Sequence, residues 1–239
     1  MSEFNSHLTQ AIAAHAATDY PRESCGYVAN GAYYPCINAA DDPLNAFDMS
    51  GDTGFTQALI DGTLQGVVHS HTDGPAFPTK RDLLNQINMG VPWGIAVTDG
   101  RAVKEVFWYG DQLPIPPLEK RKFRYGVTDC WTLIRHWYKL ERGLWLPAFA
   151  SEWGWWKAGE DIYRTGLAEA GFRRLTADER PVVGDMCSMR IDSSVPNHGG
   201  LYIGNGQMLH HLMDQYSRAD SIERYMAIIK DNWYRHEST

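Results

Sequence analysis

The sequence has no surplus of positive charge, no long apolar run and no closely spaced cysteines, and each absence removes a class of function. Its 22 Lys and Arg are outnumbered by 29 Asp and Glu, a formal net charge of −7. No basic face is therefore available to neutralise phosphates, and nucleic acid is not expected as a main ligand. No apolar stretch approaches the roughly 20 residues of a membrane span. Met1-Ser2-Glu3-Phe4-Asn5 has neither the basic start nor the apolar stretch of a secretory signal, which predicts a cytoplasmic origin. Cys25, Cys36, Cys130 and Cys187 show neither close pairing nor zinc-ribbon spacing, and in a reducing compartment they are expected as free thiols. Internal repeats and low-complexity segments are missing as well. What is plentiful is aromatic: nine Trp point to dense cores or to surfaces that face carbohydrate or partners.

At 239 residues the chain holds one large domain or two small ones. Residues 113–121, Leu-Pro-Ile-Pro-Pro-Leu-Glu-Lys-Arg, carry three prolines and then a charge cluster. Proline removes a backbone donor and favours extended chain, so this stretch reads as a semi-rigid linker between domains over 1–112 and 122–239. In the first, the spacing of Phe4, Leu8, Ile12 and Ala16 predicts a helix over 4–18. Strands are expected at Gly26–Val28 and Ala32–Tyr34 about an Asn30-Gly31 turn, then at Leu64–His71. A helix over Lys80–Met89 and a hairpin of Gly94–Thr98 with Ala102–Tyr109 follow. The second half reads as helices over Cys130–Leu140 and 160–170, then strands over Asp185–Arg190, Gly199–Ile203 and Gln207–Met213. Neither half alternates as βαβ units, so both are α+β.

Behind the apolar pair Val67-Val68 stands His69-Ser70-His71, whose two imidazoles share one face of a strand. A carboxylate from the next element would complete a three-ligand set with a position left for water, the layout of a catalytic zinc. Thr79 reads as a helix N-cap, and Asp82 falls at the third helical position, where the helix dipole favours a carboxylate. Taken alone, Thr79-x-x-Asp82 is first of all a capping box. Together with Pro21-Arg22-Glu23-Ser24-Cys25-Gly26 upstream, His69-x-His71-x7-Thr79-x-x-Asp82 resembles the JAMM (MPN-type) metalloproteases over about residues 5–110. The resemblance implies an α/β-sandwich of a mixed sheet with flanking helices. It implies one Zn2+ held by His69, His71 and Asp82, Glu23 as the general base that takes a proton from the attacking water, and the Thr79 hydroxyl steadying the tetrahedral intermediate. That family usually has Ser where this chain has Thr79. Cys25 reads as a packed small residue.

Tyr125-Gly126-Val127-Thr128-Asp129-Cys130 leads into a helical run that Thr128 or Asp129 can cap. Cys130 then lies in the first turn, where unpaired amide N–H groups favour a thiolate. With Gly184-Asp185 ahead of a strand and His198-Gly-Gly-Leu-Tyr-Ile-Gly beyond it, this resembles the NlpC-type papain-like cysteine peptidases over about residues 120–225. The resemblance implies Cys130 as nucleophile, His198 as its base and later acid, and a third polar residue that orients His198. Strand register leaves two candidates for the third. A two-residue Asn205-Gly206 loop pairs Gly204 with Gln207 and puts His211 on the face of His198. A three-residue loop with Gly206 as a left-handed bulge residue pairs Ile203 with Gln207 and puts His210 there. The family's spacing favours His210 and hence the bulged loop. Tyr125 reads as either a cleft or a core residue, His136 as outside the site and Cys187 as buried and inert. Trp153-Gly154-Trp155-Trp156 suits a partner-facing loop or a packed core equally.

A JAMM domain followed by an NlpC-type domain in one short chain resembles the tail-tip assembly proteins of long-tailed bacteriophages, the lambda protein K type. The resemblance implies tail-tip assembly in the host cytoplasm and a place in the virion tail tip. The partners it implies are other tail-tip proteins, bacterial cell-wall peptide as substrate of the thiol site, and a β-grasp tail assembly protein for the metal site. Two classes of function stay open: a bifunctional peptidase, and a structural tail component whose domains serve to bind partners.

Overall fold

Short strand-forming runs broken by turn residues set the framework of both halves. The computed structural model describes residues 4, 6–230 and 232–238. It divides into two units, residues 1–78 with 84–114, and residues 115–239 with 79–83.

In the first half the elements run α1 (Ser6–Asp19), β1 (Cys25–Ala29), β2 (Ala32–Cys36), α2 (Thr53–Ile60), β3 (Leu64–Thr72), α3 (Lys80–Met89), β4 (Trp93–Thr98) and β5 (Val103–Tyr109). The sheet order is β2-β1-β3-β4-β5, with β3 and β4 parallel and the other pairs antiparallel. Parallel neighbours need a crossover, which α3 supplies. Asn30 and Gly31 both take positive φ, 51° and 75°, as a tight two-residue hairpin turn requires. Leu8, Ile12 and Ala16 of α1 pack with Val28, Val68 and Ala96 on one face of the sheet. Phe4 joins that cluster and stacks on Trp108 at 3.6 Å, although residue 5 lies outside the described residues. Because side chains alternate, Val68 under α1 leaves His69 and His71 on the opposite face. The short α2, capped by Asp52, which accepts from the Phe55 N–H at 2.8 Å, was not expected from the sequence.

The second half holds α4 (Cys130–Arg142), a 3-10 turn (Trp155–Ala158), α5 (Ile162–Glu169), β6 (Phe172–Arg174), β7 (Met186–Met189), β8 (His198–Gly204), β9 (Gln207–His210), β10 (Arg218–Ser221), a second 3-10 turn (Ile222–Arg224), α6 (Met226–Ile229) and β11 (Trp233–His236). The sheet order is β10-β9-β8-β7-β11-β6, antiparallel throughout. One face packs Cys187, Met189 and Met208 with Ile229 and Trp233. α4 buries Leu133, Ile134 and Tyr138 and ends at Gly143, whose left-handed φ of 68° closes the helix. β9 stops at His210, three residues short of the expected end. A mixed sheet followed by an antiparallel one is the α+β organisation that the sequence predicts. Among the described residues no helix is long and apolar enough to cross a membrane.

Arg121 is the last residue of the proline-rich segment that the sequence reads as a linker. It is buried, and its guanidinium donates to the carbonyls of Pro116 and Pro117 at 2.7 and 2.6 Å and meets His136 Nδ1 at 2.8 Å. Burial lowers its pKa to about 10. Arg121→Ala removes the hydrogen bonds of a buried guanidinium, and is expected to destabilise the protein by about 1.5–3 kcal/mol in urea denaturation.

Candidate active sites

β3 delivers two imidazoles to one point. His69 Nε2 and His71 Nε2 lie 3.1 Å apart, and His71 Nδ1 meets the Pro75 carbonyl at 2.8 Å. A carbonyl only accepts, so His71 carries its proton on Nδ1 and presents the Nε2 lone pair inward. Phe47 stacks on His69 at 4.6 Å and fixes the ring plane. Asp82, in the first turn of α3, completes the group: one ligand atom from each of His69, His71 and Asp82 lies within 4.8 Å of the others, and all three residues are buried. Two imidazole nitrogens and one carboxylate oxygen are a donor set that suits zinc with a position open. The capping box also forms. Thr79 N–H and Oγ1–H donate to Asp82 Oδ2 at 2.8 and 2.7 Å, and Asp82 N–H donates to Thr79 Oγ1 at 3.2 Å. One carboxylate thus caps the helix while facing the histidines. Glu23 is buried just ahead of β1, its N–H held by the Pro43 carbonyl at 2.7 Å and its carbonyl by Asn38 Nδ2 at 2.8 Å.

The second centre forms where α4 meets β8. Asp129 caps α4 by accepting from Thr132 N–H at 2.9 Å and also takes the Gly126 N–H at 2.8 Å, which places Cys130 at the first helical position. The backbone N–H groups of Gly199, the residue after His198, and of Trp131 act to lower the Cys130 thiol. Gly199 fits closely here: a Cβ would lie 3.1 Å from both Ile134 Cδ1 and the Tyr163 hydroxyl. His198 Nε2 meets His210 Nδ1 at 3.1 Å, and His210 Nε2 meets Asp220 Oδ2 at 3.1 Å. Cys130 and His198 line one cavity of about 420 Å³, walled by Tyr125, Trp131, Phe149 and Trp156. Tyr125 is in this wall, with its hydroxyl donating to the Glu152 carbonyl at 3.0 Å.

Residues 5–109 match the family model for prokaryotic homologs of the JAB domain, and residues 120–234 that of the NlpC/P60 family. The tail tip assembly protein K of Escherichia phage N15 is 31% identical over 214 residues, covering 87% of this chain and 85% of that protein. Its counterpart in Escherichia phage lambda is 34% identical over 181 residues, covering 76% and 82%. The chain belongs to the tail tip assembly protein K family.

Three features of this family member differ from the sequence reading. The β8–β9 turn is the two-residue one: Gly204 pairs with Gln207, and Asn205 and Gly206 have φ of 52° and 68°. That turn alone would bring His211 to His198. The ladder instead shifts between Tyr202 and Gly204, so Gly200 pairs with His210. The extra residue lies within β8 rather than at Gly206, and it is this bulge that turns His210 inward. His211 is also buried, its Nε2 on the Gln215 carbonyl at 3.1 Å. Second, the Cys130 thiol is not lowered. Burial, then the charge of Asp129, push it up to about 11 against the hydrogen bonds from Tyr163, Gly199 and Trp131. Third, Asp220, which no motif marked, closes the histidine chain. Tyr163 also went unmarked, with its hydroxyl 3.4 Å from the Cys130 sulfur. The tryptophan run divides: Trp155 is buried, Trp153 is exposed, and both border the cavity. His136 serves Arg121, and Cys187 is fully buried with its thiol pushed up to about 12 by burial.

Burial, followed by the neighbouring His210 and His211, lowers His198 to about 3 from an ordinary 6.5. Between those values the unfolded chain binds a proton that the folded chain does not, so stability falls as pH drops from 6.5 toward 3. His210 and His211 are lowered too and act in the same direction. Thermal unfolding against pH is expected to show this slope, and His198→Gln to flatten it.

Proposed function

We propose that this chain is a tail-tip assembly component with two hydrolytic centres, a thiol peptidase for bacterial cell-wall peptide in the second domain and a zinc-dependent peptide or isopeptide hydrolase in the first. The observation that carries the reading is that Cys130 and His198 border one aromatic cavity, with His210 bonded to His198. The relatives are named for tail tip assembly, which supports assembly in the host cytoplasm beside other tail-tip proteins and a place at the virion tail tip. A β-grasp tail assembly protein is the proposed target of the first domain.

At rest the thiol centre holds a neutral thiol and a neutral imidazole, because burial opposes both charges. His198 therefore takes the Cys130 proton as the sulfur attacks, and returns it to the leaving amine. His210 holds the His198 ring in place. In the first domain His69, His71 and Asp82 would hold the metal, Glu23 would accept a proton from the attacking water, and the Thr79 hydroxyl would have to leave Asp82 Oδ2 to face the developing oxyanion. Zinc bound there supplies Lewis acidity and draws the pKa of water toward neutrality.

The test is cleavage of cell-wall peptide by the wild type, Cys130→Ala and His69→Ala, with the zinc content of each. Loss of cleavage in Cys130→Ala alone assigns wall digestion to the second domain. A tail component that only binds partners is the second reading, favoured by the neutral resting pair. It expects neither metal nor cleavage in any form.

A further inference from the structure

The histidine chain does not end at His210. An ionised carboxylate only accepts hydrogen bonds, so the 3.1 Å contact of His210 Nε2 with Asp220 Oδ2 puts the His210 proton on Nε2. His210 Nδ1 is then a lone pair, and across its own 3.1 Å contact His198 Nε2 has to be the donor. His198 Nδ1 is left as the single nitrogen able to accept a proton. We propose that Asp220 is a positioning residue of the thiol centre, fixing the His210 tautomer and through it the nitrogen of His198 that takes the thiol proton. This rests on the reading of Cys130 and His198 as nucleophile and base.

The surroundings of Asp220 are built for an oriented carboxylate. Arg218 Nε and the Tyr225 hydroxyl each donate to Oδ2 at 2.9 Å, and Arg224 lies 3.7 Å from Oδ1. The Tyr225 ring stands edge-on to His210 at 5.0 Å. Burial alone would raise the carboxyl, but hydrogen bonds from His210, Tyr225 and Arg218 hold it below its ordinary value, so it is ionised at neutral pH. The Arg218 side chain is 40% exposed and its ion pair contributes little to stability. The buried partner is His210, 1% exposed at its side chain.

The experiment uses the full chain and needs no peptide substrate. Imidazole 15N NMR of the wild type is expected to show His198 and His210 both protonated on Nε2 with bare Nδ1. Iodoacetamide reports the same chain chemically: the Cys130 sulfur displaces iodide while its proton passes to His198. Asp220→Ala removes the acceptor that holds the His210 proton on Nε2, so neither tautomer is fixed any longer. Cys130 alkylation at neutral pH, followed by peptide mass spectrometry, is expected to fall about 10²-fold, whereas Asp220→Asn, whose amide oxygen can take the place of Oδ2 under Arg218, Tyr225 and His210, is expected to keep most of it. A wild-type His210 protonated on Nδ1, or an unchanged alkylation profile in folded Asp220→Ala, overturns the proposal. If Asp220→Ala does not fold, the wild-type tautomers still decide. Should the tautomers and alkylation come out as expected while cell-wall peptide stays intact, the peptidase reading falls and the positioning role stands.

Discussion

Cys130→Ala is expected to lower thiol-dependent cleavage of cell-wall peptide by at least about 10⁴-fold while leaving the fold in place. The position favours a clean result. Cys130 opens α4, Asp129 caps that helix without help from the thiol, and alanine is the best helix former. The side chain borders a cavity, so removing one sulfur atom adds to a space already present. His198→Ala is expected to cost about as much, because a neutral thiol without an acceptor stays protonated at neutral pH. The double variant should then be no worse than either single one, the signature of groups that act as a unit. His210→Ala keeps nucleophile and base and is expected to cost less, about 10²-fold. Cleavage by Cys130→Ala at the wild-type rate would move the activity out of this centre, and His69→Ala would show whether it lies in the first domain.

What the sequence disclosed about these centres was what local periodicity controls. Two histidines at i and i+2 on a strand must share a face, and a capping residue ahead of an apolar-periodic run must place Cys130 in a first turn. Both follow from backbone geometry within a few residues. The facing of His210 depends instead on ladder pairing. A bulge between Tyr202 and Gly204 inserts one residue and reverses which of two adjacent histidines meets His198, and its local mark, Gly204 with a φ of 93°, is easily assigned to the neighbouring Asn205-Gly206 turn instead. Asp220 was hidden for a related reason. Its strand has four residues and exists because β9 lends it an edge, so no periodicity announces it. The thiol's direction of shift was misread because a helix N-terminus was weighed without the burial that opposes it. The burial of Arg121 was not legible either, since it depends on His136 from α4 as well as on the Pro116 and Pro117 carbonyls just upstream.

Zinc is expected to raise the thermal midpoint of the wild type and to leave that of His71→Ala unmoved, since an ion bound only by the folded state stabilises it in proportion to its affinity. Loss of a ligand should weaken binding beyond the about 10–100-fold that loss of an outer hydrogen-bond partner costs. The Asp82 carboxylate needs closer treatment, because it both caps α3 and faces the two histidines. Asp82→Ala removes both roles and should destabilise the metal-free protein by about 1 kcal/mol through the lost cap. Asp82→Asn separates them. Its amide oxygen can still accept from the Thr79 N–H, while the anionic oxygen that would complete a zinc donor set with the two imidazoles is gone. Metal-free Asp82→Asn is therefore expected to melt close to the metal-free wild type, with its response to zinc lost. Thr79→Ser retains the hydroxyl that donates to Asp82 Oδ2 and should keep both properties. If zinc leaves the wild type unmoved while Asp82→Ala still shows the cap's cost, Thr79 and Asp82 are a capping box and nothing more, and the two inward imidazoles of β3 hold each other rather than a metal.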